Sequence, residues 1–255
     1  MRFANQEGEP EIFSTIQGEG RHTGEPAVFA RLSGCNLQCT WCDTPYTWNW
    51  EGTEYEHDDG VKYDRQAETI QLQIGEAVDN ITGHKIDRVV ITGGEPLIQQ
   101  TSIIELIDGL RSENPNYKVE IETNGTITPK PLLIEKVDQF NVSPKMDSSL
   151  HIRGATGQQP YGRNQTYRPK VLDKFAEIPH ADFKFVVEDE HDLKQVQGIV
   201  LTHQIPHERV YLMPQSRTQE QLQSSIRGVA QMAIENGFNL SNRLHVEIWG
   251  DERGV

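Results

Sequence analysis

The strongest constraint on this chain's fold is a recurring layout. Short apolar runs end in turn residues, and most lead into a stretch with helical spacing. "AVFARLS" (27–33), "DRVVITGGEP" (87–96), "YKVEIETNG" (117–125), "FNVSPK" (140–145), "ADFKFVVED" (181–189) and "ERVYLMPQ" (208–215) all fit it. "LIQQTSIIELIDGLRSE", "EHDLKQVQGIVLTH" and "TQEQLQSSIRGVAQMAIENG" supply apolar residues at helical spacing after three of them. "NRLHVEIWG" (242–250) alternates apolar and polar residues and reads as a last strand. Strands alternating with helices predict an α/β fold with a mostly parallel sheet or open barrel. Ligands in such folds sit at the carboxyl ends of the strands, which is where "TGGEP", "ETNG", "SPK" and "MPQ" fall.

Two stretches break the layout. Residues 48–66, "WNWEGTEYEHDDGVKYDRQ", are acidic and aromatic, and residues 146–170 are rich in Gly, Gln and Arg. Both read as inserted loops over the barrel mouth. Glu54, Glu56, His57, Asp58 and Asp59 offer oxygen and nitrogen donors to a metal, but such a run is the ordinary composition of a solvated loop.

The chain of 255 residues is 35% hydrophobic and 24% charged, and its formal net charge is −14. The length suits a single domain, 1–255. A strongly acidic chain has no general attraction for nucleic acid or anionic membrane. No apolar run approaches a membrane span, and the N-terminal residues lack the apolar core of a signal peptide. The expected location is cytoplasmic.

All three cysteines, Cys35, Cys39 and Cys42, lie in "SGCNLQCTWCDTPYTW", spaced C-x3-C-x2-C. An odd, tight cluster argues for metal chemistry in a reducing compartment rather than disulfides. Structural zinc normally takes four protein ligands, and neither His22 nor His57 sits at a usual spacing to be the fourth. Iron–sulfur cubes also usually take four thiolates, so three leave one iron open to a substrate or cofactor. The open cluster, a zinc site and three plain buried thiols all remain readings of the spacing alone.

"CNLQCTWCDT" with "TGGEP" resembles the radical S-adenosylmethionine (SAM) superfamily. "STIQGEG" (14–20), Arg31, Thr44 and the final "WGDERGV" narrow the resemblance to the 7-carboxy-7-deazaguanine synthase family. The resemblance covers nearly the whole chain, from Ile16 to Val255. It implies a partial, open βα barrel of the radical SAM type with inserted loops. It also implies a [4Fe–4S] cluster held by Cys35, Cys39 and Cys42, with SAM on the fourth iron. The implied reaction converts 6-carboxy-5,6,7,8-tetrahydropterin to 7-carboxy-7-deazaguanine with loss of ammonia, by hydrogen abstraction from C6. The cofactor carries this chemistry, and the protein positions it.

The resemblance also assigns residues. Trp41, Cys42 and Asp43 would border the adenine through their backbone, and Gly94 would meet the methionine end. Ser143, Pro144 and Lys145, then Lys184, Phe185 and Val186, would contact SAM; alternation in "DFKFVV" also allows Lys184 to face solvent. Ile16, Gln17, Gly18 and Glu19 would line the pterin, with Glu19 accepting from its guanidine-like edge, and Thr92 belongs to the same site. Arg31, on an otherwise apolar strand, suits a carboxylate by its fork geometry, either the substrate's or that of a structural salt bridge. Thr44 would bind Mg²⁺, or equally cap a helix. Val255 would meet the pterin through its terminal carboxylate, with Arg253 positioning the tail. A low-potential donor such as flavodoxin or ferredoxin and a homodimer complete what the family implies. The rival readings are an activase for a glycyl-radical enzyme and a zinc-stabilised binding module that is not an enzyme.

Overall fold

In the computed structural model, residues 1–149 and 166–255 are described, and part of the 146–170 insertion lies outside them. Five strands precede the first helix: β1 (Arg2–Gln6), β2 (Glu9–Pro10), β3 (Ile12–Ile16), β4 (Pro26–Leu32) and β5 (Thr69–Gln71). The chain continues through α1 (Ile74–Gly83), β6 (Arg88–Gly93), α2 (Gln100–Glu113), β7 (Lys118–Thr123), α3 (Pro131–Lys136) and β8 (Gln139–Val142). It ends with α4 (Pro169–Ala176), β9 (Ala181–Val187), α5 (Glu190–Thr202), β10 (Val210–Pro214), α6 (Gln219–Asn236), β11 (Asn239–Leu240) and α7 (Leu244–Trp249).

One sheet joins the strands in the order β11-β10-β9-β8-β7-β6-β4-β1-β2, with β3 on β4 and β5 on β1. From β4 to β11 every pairing is parallel. The two ends of the order do not pair, so the barrel is open. The antiparallel strands beside β4 come from residues 2–16, which carry no strand–turn–helix layout, and from β5.

Helices cover one face of the sheet. In α2, Ile103, Leu106, Ile107 and Leu110 recur at helical spacing and are all fully buried, the pattern of a core-facing stripe. Strand β9 is buried along its whole length, so its two faces must differ in chemistry: Phe183 and Phe185 join the hydrophobic core, and Lys184 and Val186 line the barrel interior. Caps fix the helix starts. Asp189 accepts from His191 N at 2.8 Å and Asp192 N at 3.1 Å, and Thr218 and Gln221 form a capping box on α6.

The expected last strand over 242–250 is instead α7, and the true last strand is the short β11 before it. Glu247 N bonds Arg243 O at 3.0 Å and Gly250 N bonds Val246 O at 2.9 Å. Asn242 accepts from Arg243 N at 2.8 Å and donates to Glu247 at 2.8 Å. Leu, Val and Ile at every second position imitate a strand, yet Val246 is buried and Ile248 is 47% exposed. A fully paired strand would not split the set this way. Residues 48–66 form a loop with an isolated Trp50–Tyr63 bridge, and the loop packs on the cysteine segment. Among the described residues no helix is long and apolar enough to cross a membrane.

Candidate active site

A cavity opens at the carboxyl ends of the parallel strands, with about 1320 Å³ of space including its mouth. Of the residues that the resemblance assigns to cluster, SAM, Mg²⁺ or pterin contact, all but Pro144 and Phe185 line it. Phe185 turns to the helix side of β9, so only its backbone is available to a ligand.

The cysteine segment forms one wall. Cys35, Cys39 and Cys42 are unpaired thiols that face the same space. The segment around them is tied on several sides. Gly34 N bonds Thr47 O at 2.9 Å, Thr40 N bonds Ser149 O at 3.0 Å, and Glu95 N bonds Gly34 O at 2.9 Å. Trp41 Nε1 donates to Ser148 O at 3.1 Å. Asn36 meets Thr126 at 2.8 Å and Asn124 at 3.0 Å. The buried Glu95 carboxylate accepts from Leu97 N, Thr123 Oγ1 and Asn124 N at 2.7–2.9 Å, which joins the ends of β6 and β7 behind the loop. A Cβ on Gly94 would collide with the Gly34 carbonyl and lie 2.9 Å from Cys35 Cβ. Only glycine allows β6 to end against the cysteine segment.

Burial pushes all three thiols up, Cys39 to about 12. Thiols so placed become thiolates only beside a strong cationic centre, and bound metal supplies one. His57 Nε2 lies 2.8 Å from the Cys42 carbonyl and its Nδ1 2.8 Å from Asp59, and His22 Nδ1 lies 2.7 Å from Glu120. Neither histidine completes a tetrahedron. Among the described residues no three His, Cys, Asp or Glu side chains converge on a single-ion site, and this includes the acidic run 54–59. Three soft donors and an open position fit an iron–sulfur cube with one free iron better than closed zinc.

The facing wall is polar and comes from many strands. Pairing aligns Arg31 with Thr92, and Glu122 with Asn141. Thr92 donates to Glu122 at 2.8 Å, and Lys184 lies 3.8 Å from the same carboxylate. Lys184 is 6% exposed and ion-paired to Glu19, so the outward-facing alternative does not hold. Arg243 donates to Glu19 at 2.9 Å and to Asp43 at 2.5 Å, and also holds the Ser216 carbonyl. Burial opposes the charge on Glu19, but Lys184 and Arg243 outweigh it and hold its carboxyl well below the usual range. Both Glu19 oxygens therefore already carry a cation, which the sequence did not reveal. His245, 3.8 Å from Glu19, is pushed down to about 4, chiefly by burial. A Cβ on Gly18 would occupy the His245 ring, so Gly18 is the point where α7 approaches the "IQGEG" segment. Gln17 is fully buried and donates to Glu120 at 2.7 Å.

Arg31 has a structural partner: its Nε donates to Glu11 at 2.6 Å. Its two terminal nitrogens have no hydrogen-bond partner among the described residues, and Arg31 lines the cavity. Thr44 precedes the turn Pro45–Thr47 but makes no side-chain cap. Its hydroxyl lies 3.6 Å from Cys42 Sγ. Glu122, Asn141, Arg243 and His245 were missed as site residues. Acidic residues at alternate positions of a central strand, Glu120 and Glu122 in "KVEIET", were the available signal for the first; for the last two, misreading α7 hid the signal.

The radical SAM superfamily profile matches residues 31–177. A 7-carboxy-7-deazaguanine synthase from Pyrobaculum aerophilum is 36% identical over 246 residues, covering 96% of this chain and 95% of the relative. The enzyme of the same name from Rhodopirellula baltica is 36% identical over 251 residues, 96% of this chain and 87% of the relative. The crystal structure of QueE from Escherichia coli aligns with a TM-score of 0.62 at 27% identity, over 96% of this chain and 95% of that one.

Proposed function

The chain belongs to the 7-carboxy-7-deazaguanine synthase family of the radical SAM superfamily, and from that premise we propose how its cavity is divided between cofactor and substrate. The reaction is the conversion of 6-carboxy-5,6,7,8-tetrahydropterin to 7-carboxy-7-deazaguanine with loss of ammonia, in queuosine and 7-deazapurine biosynthesis. The cofactors are a [4Fe–4S] cluster and SAM, which together supply the radical that opens the ring contraction. The glycyl-radical activase and the zinc module are set aside by the family.

Cys35, Cys39 and Cys42 hold the cluster. The backbone of Trp41, Cys42 and Asp43 takes the adenine; the Asp43 side chain is free of that duty because Arg243 holds it. Gly94, Ser143, Pro144 and Lys145 serve the methionine end, and Lys184, Phe185 and Val186 form a further contact strand, Phe185 by its backbone. Lys145 reaches over the Trp41 ring and donates to Ser143 at 2.9 Å, which supports a shared role for these three.

The pterin lies against Ile16, Gln17, Gly18, Glu19, Thr92 and Val255. Arg31 takes the substrate carboxylate through its two free nitrogens, a bidentate match. Thr44 would hold Mg²⁺ through its hydroxyl, since Mg²⁺ favours hard oxygen donors and commonly takes few of them from protein. A low-potential flavodoxin or ferredoxin supplies electrons, and a cytoplasmic homodimer of one radical SAM domain is the working form.

The observation that carries this reading is that the three thiols and the Glu19–Lys184–Arg243 network face one space. The test is anaerobic reconstitution with iron and sulfide, followed by mass spectrometry after incubation with pterin, SAM and reductant. A brown protein that forms 7-carboxy-7-deazaguanine supports the reading. A colourless protein, or a brown one that leaves the pterin intact, contradicts it.

A further inference from the structure

Glu11 lies between β2 and β3, is 1% exposed, and serves three elements at once. Its Oε1 accepts from Arg31 Nε at 2.6 Å and from the Tyr46 hydroxyl at 3.1 Å. Its Oε2 accepts from Arg253 Nε at 2.9 Å. Arg31 lines the cavity, Tyr46 belongs to the turn just after Thr44, and Arg253 belongs to the segment that carries Val255 to the cavity.

Arg253 is unusually well held for a residue so near the end of the described chain. It donates to Glu68 at 3.0 Å and to Asn5 O at 2.6 Å, and its guanidinium lies 3.6 Å from the Tyr46 ring centre. Gln6 donates to the Arg253 carbonyl at 3.3 Å. Gly254 follows at φ 81°, where a Cβ would meet the Gln6 side chain. The segment is thus docked on β1 rather than draped over it.

The division of Glu11's oxygens has a consequence for Arg31. A carboxylate with both oxygens free grips a guanidinium through two parallel bonds. Here one oxygen is occupied by Arg253, so Glu11 holds Arg31 by Nε alone and leaves its terminal nitrogens to the cavity. Without Arg253, the second oxygen has no other cation and Arg31 is the nearest one. We infer that Glu11 is a positioning residue that makes docking of the 250–255 segment and presentation of the Arg31 fork to the substrate carboxylate a single event. The substrate half of this inference rests on the proposed role of Arg31; the docking half does not.

The experiment uses the full chain with Arg253→Met, Glu11→Gln and the double variant. Hydrogen–deuterium exchange of the 244–255 peptide, without cofactor or substrate, reads docking. Faster exchange by about tenfold is expected in both single variants, since each loses a charge-assisted bond. In steady state Arg253→Met should raise KM for the pterin about tenfold with little change in kcat, as expected for uniform binding lost. In the Glu11→Gln background the same change should raise KM far less, because a neutral amide cannot capture the Arg31 fork. Unchanged exchange in Glu11→Gln overturns the docking half, and KM penalties that simply multiply overturn the coupling. If Glu11→Gln does not fold, Arg253→Lys takes its place: its cation can still occupy the second oxygen of Glu11, so KM well below that of Arg253→Met is expected, and a KM penalty equal to that of Arg253→Met would contradict the account. Coupled exchange in a protein that does not turn over the pterin would leave the docking intact and remove the substrate role.

Discussion

The two walls of the cavity are built on opposite principles. The cysteine wall is one contiguous segment whose backbone is tied down and whose three thiols have no ion-pair partner among the described residues. The facing wall is assembled from distant residues whose charges already satisfy one another: Glu19 meets Lys184 across 165 positions and Arg243 across 224. The first offers three thiols raised by burial, which a bound cationic centre would convert to thiolates. The second is complete without ligand, so its charges stay fixed when water leaves. A preorganised polar wall of this kind orients a substrate without reorganising.

The largest effect should come from the cysteine wall. Replacing Cys35, Cys39 or Cys42 by Ala should abolish SAM cleavage outright, because the chain has no spare cysteine. SAM cleavage retained by a variant with an intact cluster, read by iron content and electron paramagnetic resonance, would break the contrast between the walls.

Next comes the self-satisfied wall. Lys184→Met leaves buried Glu19 with one cation fewer and should cost on the order of 3 kcal/mol in stability. The cluster should still assemble, and turnover should fall by at least about tenfold from the displaced Glu19. Adding Glu19→Gln should restore much of the stability but not the turnover. Thermal melts and steady-state rates separate the two; full recovery of both would show that the network only supports the fold.

A smaller effect is expected where the walls meet. Thr44→Val keeps the shape and removes the oxygen donor, so Mg²⁺ stimulation should shrink several-fold with the cluster spectrum unchanged. Equal stimulation in variant and parent would exclude Thr44 as the ligand.

How far each wall was legible follows from the same contrast. The cysteine spacing, the glycines of "TGGEP" and the "IQGEG" segment are local patterns, and the structure brings them to one cavity. Lys184 was ambiguous because both faces of β9 are buried, and alternation cannot tell barrel interior from helix layer. Arg243 and His245 were invisible as site residues because "LHVEIW" alternates like a strand while its Asn242 and Gly250 ends make it a helix turn and a half long. Glu122 stands in "ETNG" at a strand end, and nothing in that pattern shows which way its side chain faces. Glu11 was passed over because nothing in its local sequence marks a residue that bonds partners 20, 35 and 242 positions away.

A further effect concerns pH. His245 is held to about 4 against its ordinary 6.5. Between those values the unfolded imidazole binds a proton that the folded one refuses, so stability should fall as pH drops from about 6.5 towards about 4. Burial sets this direction, with Arg243 and Lys184 acting the same way and Glu19 and Asp43 opposing. His245→Gln should flatten this window in urea midpoints taken at successive pH values. An identical slope would assign the acid sensitivity to other groups.

The central claim is that one cavity brings the cofactor at the cysteine wall to the pterin at the charged wall. The most direct test is turnover of 6-carboxytetrahydropterin deuterated at C6 by the anaerobically reconstituted protein, with mass spectrometry of the recovered SAM and 5′-deoxyadenosine. The account predicts deuterium in one or both. Formation of 7-carboxy-7-deazaguanine with no deuterium in either would contradict it.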